Sequence, residues 1–233
     1  MHNKTLIVIP VFNEEENIKK ILEKIKKIEN IKKEIIVIND GSQDNTSNIL
    51  ENECRELVDE IINNETNRGK GYACRLGIKK AKGDIILIQD ADLEYNPENY
   101  YDLIEPILKK KTKVVYGSRV LGNRKRTRPS TFDFKVRYLA NVFLTSLSNF
   151  MNKQNLTDAH TCYKIFCSDI VKDIKLEENG FCFCPEITAK ISKKKESILE
   201  VPIDYFGRTH SEGKKIKFLD GFKAIKSIIK YNL

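Results

Sequence analysis

An α/β domain built on a mostly parallel sheet is the fold class that these 233 residues predict, and three observations carry it. Short β-branched runs alternate with amphipathic helical patterns through the first half of the chain. The runs at 35–38, 85–88 and 114–115 are apolar on consecutive positions, as expected of strands covered on both faces. Polar and charged residues gather just after these runs, where open parallel sheets bind their ligands. The length fits one large domain with room for a sizeable core.

The elements follow in order. TLIVIP at 5–10 is the first strand. In NEEENIKKILEKIKKI, Ile18, Ile21, Leu22, Ile25 and Ile28 recur at helical spacing, and acids stand in the first turn, where the helix dipole favours them. EIIVIND at 34–40 is a strand, NTSNILENECREL at 45–57 a helix with a polar cap, and GYACRLGIKKA at 71–81 a helix. DIILIQD at 84–90 is the central strand, PENYYDLIEPILKK at 97–110 a helix, and KVVYGS at 113–118 a strand. Beyond Leu121 come a basic segment at 122–130, a long helix at 134–151, a strand CYKIF at 162–166, a helix at 184–194 and a strand ILEVPIDY at 198–205, which continue and cover the sheet.

Bulk chemistry narrows the partners. With 41 basic against 33 acidic residues, the formal charge of +8 favours an anionic partner such as a nucleotide, a phospholipid head group or nucleic acid, without choosing among them. The six cysteines include no C-x-x-C pair, and Cys182 and Cys184 are too close for an ordinary disulfide, so reduced thiols in a cytoplasmic protein are expected. No run reaches ~18 apolar residues, which speaks against a membrane span, and the short run in MHNKTLIVIP does not make a signal peptide.

Four strand ends direct polar groups at one crevice: Pro10, Phe12 and Glu14; Asn39, Asp40 and Gly41; Asp90 and Asp92; Gly117, Ser118 and Arg119. Asp90 and Asp92 lie one residue apart after a buried strand, a spacing of hard oxygens that suits Mg2+ or Mn2+ shared with a diphosphate. INDGSQDNT at 38–46 reads equally as a turn and as a site in which Asp40 accepts hydrogen bonds from a base or ribose. Gly69 and Gly71 flank Lys70 at a helix start suited to anions, though the pattern is neither G-x-G-x-x-G nor a Walker loop.

Taken in order, VIPVFNEEENI, VINDGSQDNT, NRGKGYACRLGIKKAKGD, IQDADLEYNPE, YGSR, TDAHTCYKIF and ILEVPIDYFGRTHSEGKKI resemble family 2 glycosyltransferases of the GT-A fold, specifically the dolichol-phosphate mannose synthase-like branch. The resemblance spans nearly the whole chain. It implies a nucleotide-sugar-binding half (1–119), an acceptor half (120–214) and an amphipathic carboxyl-terminal helix (215–233) within one GT-A domain. It implies that Pro10, Phe12, Glu14, Ile38 and Asp40 line the nucleoside pocket, and that Asp90, Ala91 and Asp92 meet the diphosphate and metal with Glu94 as a further ligand. Arg119 stands near the reacting phosphates. Arg137 and Asn141 face the acceptor phosphate, Asn141 where the family has serine. Arg208 and Lys214 match a basic pair that closes over the donor.

The implied reaction is inverting, metal-dependent transfer of a hexose from GDP-mannose or UDP-glucose to a dolichyl or undecaprenyl phosphate, at the cytoplasmic face of a membrane and without nucleic acid. Two other readings stand beside it. A sugar hydroxyl as acceptor requires a base, for which Glu186 is the candidate. A non-catalytic protein would bind anionic lipid through its basic face. In the last 20 residues, Phe218, Leu219, Phe222, Ile225, Ile228 and Ile229 share a helix face flanked by lysines, a pattern suiting either a lipid surface or packing on this domain, a membrane-protein partner or a second copy.

Overall fold

The computed structural model describes residues 4–127, 132–209, 213, 215 and 218–233. One seven-stranded sheet organises it, with strand order β3-β2-β1-β4-β7-β5-β8. The strands are β1 (Thr5–Val11), β2 (Lys33–Asn39), β3 (Glu60–Asn63), β4 (Ile85–Ile88), β5 (Val114–Ser118), β7 (Lys164–Cys167) and β8 (Ile198–Pro202). All neighbours run parallel except β7, which is antiparallel to both β4 and β5 and pairs Phe166 with Ile86 on one side and Val114 on the other. A small parallel pair, β6 (Arg126–Thr127) and β9 (Tyr205–Phe206), lies apart.

The helices are α1 (Ile18–Lys26), α2 (Thr46–Asn52), α3 (Lys70–Lys80), α4 (Tyr100–Leu108), α5 (Phe132–Asn152), α6 (Ser168–Lys172), α7 (Phe183–Lys193) and α8 (Phe218–Asn232). Strands β1 and β4 are buried along their whole length, as their uninterrupted apolar runs require. Ile18, Ile21, Leu22 and Ile25 of α1 are fully buried against the sheet, each contributing roughly 1.5–3 kcal/mol by leaving water. All six cysteines are free. Among the described residues no helix is long and apolar enough to cross a membrane.

Strand β3, the short β6 and the helix α6 were not anticipated from sequence. EIIN is too short and too exposed to show a period, and β3 is specified by its parallel partner β2 instead. The anticipated apolar face of the last helix divides in two. Ala224 and Ile228 pack with Leu144 of α5 in a second small core, whereas Leu219 and Phe222 remain 66% and 59% exposed.

Candidate active site

The carboxyl ends of β1, β2, β4 and β5 open into one cavity of about 700 Å3, which α5 and α8 extend on the far side. The loops after β1 and β2 are stitched together by local chemistry. Ser42 Oγ accepts from Asn13 N at 3.0 Å, Asn13 Oδ1 from Gln43 N at 2.8 Å, and Glu15 Oε2 from Asn45 N at 2.8 Å. Both loops are therefore fixed before any ligand arrives.

Pro10, Phe12, Glu14, Asp40, Asp90, Ala91, Asp92, Glu94, Arg119, Arg137, Asn141 and Arg208 all line this cavity, so residues spread over two hundred positions converge as expected. Ile38 does not. It has no exposed surface, and its Cδ1 packs over Gly77 of α3 in the core, because alternate residues of β2 face opposite sides of the sheet. Lys214 lies outside the described residues. Its neighbour Lys215, which sequence reasoning passed over, lines the cavity and donates to Glu14 Oε1 at 2.8 Å and to the Phe12 carbonyl.

Asp40 keeps its place but not its freedom. Its carboxylate accepts from Arg68 N at 3.1 Å, Gly69 N at 2.6 Å and Asn64 Nδ2 at 2.7 Å. An anion does sit at the start of α3, as the glycine pattern suggested, and the protein supplies it. Gly41, at φ +70°, lets the backbone of Thr66 and Asn67 approach so closely that a Cβ would lie 2.5 Å from Thr66 C. Gly69 and Gly71 likewise face the backbone of residues 178–180, where a Cβ would meet carbonyl oxygens at 2.5 Å.

Acids and cations interleave at the floor. Lys70 Nζ lies 2.5 Å from Asp90 Oδ1, and Arg208 reaches Asp92 Oδ2 at 3.1 Å and Glu14 Oε1 at 3.2 Å. Burial works against the Glu14 anion, yet hydrogen bonds from Arg208, Lys215 and Asn17 outweigh it and hold the carboxyl below its ordinary value. Asp92 goes the other way. Burial, then the negative charges of Asp90 and Glu94, push its carboxyl up to about 7, against the opposing charge of Arg208.

Glu94 is engaged by its neighbours. Its Oε2 accepts from Tyr205 Oη at 3.0 Å and its Oε1 from Arg208 N at 2.8 Å, so both oxygens hold the β9 strand and the loop after it. Among the described residues no group of three or more His, Cys, Asp or Glu side chains is arranged to hold a metal ion. Asp90 and Asp92 stand together just after β4 and line the cavity. Gln89, fully buried, braces this strand end: its Oε1 accepts from Tyr100 and Tyr163 at 2.7 Å each, and its Nε2 donates to the Asp90 carbonyl at 2.8 Å.

The same cavity is lined by Arg119. Arg119 grips Asp158 in a fork, Nε to Oδ2 at 2.7 Å and Nη2 to Oδ1 at 2.8 Å, and its backbone N–H adds a third bond at 3.1 Å. Burial alone would raise the Asp158 carboxyl, but Arg119 and then Asn141 bring it down to about 2. Asn141 Nδ2 donates to Asp158 Oδ1 at 3.2 Å, so the residue that replaces a serine is tied into the same network. Asp158 stood in the quoted TDAH stretch, but an aspartate in a loop carries no signal of its own until its arginine is located.

Glu186, the candidate base, is fully buried away from the cavity wall. It accepts from the N–H groups of Glu177 and Glu178 at 2.7 and 2.9 Å and pairs with Lys190 at 2.6 Å, which leaves it a structural anchor.

The chain resembles known proteins in sequence and in fold. The chain is 30% identical over 226 residues to a dolichyl-phosphate beta-glucosyltransferase of Trichomonas vaginalis, covering 90% of this chain and 67% of that protein. It is 29% identical over 245 residues to a UDP-N-acetylglucosamine–dolichyl-phosphate N-acetylglucosaminyltransferase of Methanococcus voltae, covering 96% and 94%. The fold superposes on glucosyl-3-phosphoglycerate synthase of Mycobacterium tuberculosis, solved with Mn2+, uridine diphosphate and phosphoglyceric acid, with a TM-score of 0.73 at 16% identity over 99% of this chain and 78% of that one. The sequence model of Glycosyl transferase family 2 matches residues 6–175. The chain belongs to glycosyl transferase family 2 and is a glycosyltransferase of the GT-A fold.

Proposed function

We propose that this enzyme moves a hexose from a nucleotide-diphosphate sugar, GDP-mannose or UDP-glucose, to the phosphate of a polyprenyl lipid, with inversion at the anomeric carbon. The observation that carries the reading is one cavity lined both by the carboxylates Asp90 and Asp92 and by the arginines Arg119 and Arg137, while Glu186, the candidate base, is buried outside it. The names of the Trichomonas and Methanococcus relatives support a polyprenyl phosphate acceptor. A lipid phosphate is ionised near neutral pH and attacks without a base. The bond from the anomeric carbon to the diphosphate oxygen breaks as the bond to the acceptor phosphate forms.

The chain's own part is alignment and charge compensation. Arg119, locked by Asp158, and Arg137 steady the acceptor phosphate, while Arg208 and Lys215 neutralise the departing diphosphate. The residues present suit a divalent cation: Mg2+ commonly takes one or two carboxylates with phosphate oxygens and waters, and Asp90 and Asp92 stand together in the cavity just after β4. When bound, Mg2+ or Mn2+ would stabilise charge on the leaving diphosphate.

The test is to incubate the purified chain with a panel of sugar nucleotides, Mg2+ or Mn2+ and a short polyprenyl phosphate. Released nucleoside diphosphate together with a lipid-linked sugar is the expected result. Release that depends on water or a sugar hydroxyl instead of the lipid phosphate would overturn it. Arg137→Ala should raise KM for the lipid phosphate about tenfold or more and leave sugar-nucleotide binding by titration within about twofold, since the cation meets only the acceptor. Equal losses in both would refute the assignment.

Attachment to a membrane surface rests on the outer faces of α5 and α8, where Leu139, Phe143, Leu219 and Phe222 stand exposed beside Lys135, Lys223 and Lys226. Removing α8 would open the second core, so the informative variant is Leu219→Ser with Phe222→Ser. It should fold normally and float several-fold less with anionic liposomes at low salt. Undiminished flotation would show that this face is not the contact.

A further inference from the structure

The loop from Asp158 to Cys162 is pinned through its backbone and leaves the side chains of His160 and Thr161 without hydrogen-bond partners among the described residues, of which only His160 lines the cavity. Asp158 N donates to Glu200 Oε1 at 2.9 Å, Ala159 N to Thr145 Oγ1 at 3.3 Å and Cys162 N to Tyr95 Oη at 3.0 Å. The Ala159 carbonyl accepts from the buried Lys164 Nζ at 2.9 Å. His160, in the middle, lines the cavity, and its imidazole makes no hydrogen bond among the described residues; Nε2 is sealed from solvent, so Nδ1 is the ring nitrogen that a molecule in the cavity can reach.

The surroundings narrow what the ring binds. Burial, then the Lys164 and Arg119 cations, against the opposing Asp158, push the imidazole down to about 4, so near pH 7 it has one N–H donor and one bare acceptor nitrogen. A phosphate is better served by the arginines nearby. A hydroxyl, which both gives and takes a hydrogen bond, matches a neutral imidazole. His160 is two residues from Asp158, the partner of Arg119, and so stands beside the arginine assigned to the acceptor phosphate, where the transferred sugar must lie at the moment of attack.

We propose that His160 reads a hydroxyl group of the sugar being transferred and so helps to set which sugar the enzyme accepts. The inference rests on the cavity being a sugar-nucleotide site and adds the residue that discriminates among sugars within it. A site built to hydrogen-bond a hydroxyl rejects the analogue that lacks it, because the partner is then buried unpaired.

The test uses the full chain with 15N-labelled histidine, which contains three histidines, and His160→Gln identifies the signal. GDP-mannose is compared with GDP, and UDP-glucose with UDP, each with Mg2+. The ring signals of His160 should move with the sugar nucleotide that the enzyme uses and stay in place with its nucleoside diphosphate alone. In kinetics, His160→Ala should lower kcat/KM about 10- to 100-fold on the parent donor and close the gap between it and one of its monodeoxy forms. His160→Gln, which keeps a donor and an acceptor, should recover part of the loss. Movement with the diphosphate alone, movement only with the lipid phosphate, or unchanged discrimination in His160→Ala would each overturn the inference while leaving the donor site standing. No response anywhere in the spectrum to any sugar nucleotide would overturn the donor-site reading and this one with it.

Discussion

Asp92→Asn is expected to lower turnover at least ~10-fold with the fold intact, because a neutral amide is a poor ligand for a hard cation. The substitution is nearly isosteric, and Arg208, which rests 3.1 Å from Asp92 Oδ2, keeps its contact with Glu14. The loss should therefore appear in kcat and in Mn2+ affinity, the latter read by electron paramagnetic resonance, and not in the melting temperature. Full activity in excess EDTA, or Mn2+ binding that ignores the substitution, would end the proposal that Asp92 is a metal ligand. Asp90→Asn should also lower Mn2+ affinity but in addition release Lys70, its 2.5 Å partner, so a drop in stability is expected there and not for Asp92.

Asp158→Ala should be the most damaging single change. It strands Arg119, a cation with 20% of its side chain exposed, without the carboxylate that takes three of its hydrogen bonds. Breaking a buried pair from one side costs about 3–5 kcal/mol, and for a chain of this size each kcal/mol lowers Tm by roughly 2–4 °C. Urea unfolding gives the first number and a thermal melt the second. A loss below about 1 kcal/mol would mean that the pair is not a structural element. The pH dependence carries a sign of its own. The folded-state carboxyl lies at about 2, below its ordinary 3.8, so its contribution is complete above pH ~4 and fades as the pH falls towards 2. Asp158→Asn should flatten that part of the wild-type curve.

Much of this site was readable because its chemistry sits at strand ends. A run such as IILIQDAD announces both a buried strand and the acids that leave it, and the register of β1 against β4 then brings Asp90 alongside the loop that bears Glu14. What could not be read was which partner each charge would take. Lys70 was visible only as a residue between glycines, and its bond to Asp90 depends on α3 packing over the sheet. Glu94 entered only through the resemblance, as a further ligand, and nothing in the sequence showed that Tyr205 and the backbone of Arg208, more than one hundred residues later, donate to its two oxygens. Ile38 was misplaced for a local reason, since a strand sends alternate side chains to opposite faces.

The antiparallel β7 has a consequence for how the molecule comes into being. β4 and β5 share no hydrogen bonds with each other, and each is completed only by residues 164–167, while β5 gains its other neighbour at residues 198–202. During synthesis the first 119 residues leave the ribosome with β4 presenting an unpaired edge, for at least ~2–10 s at 5–20 residues per second, until β7 follows. The first 119 residues therefore wait on the rest of the chain to close their sheet. Division of labour at the site does not make two folding units, and a gene cut between the halves should yield a sticky fragment instead of a miniature nucleotide-binding protein.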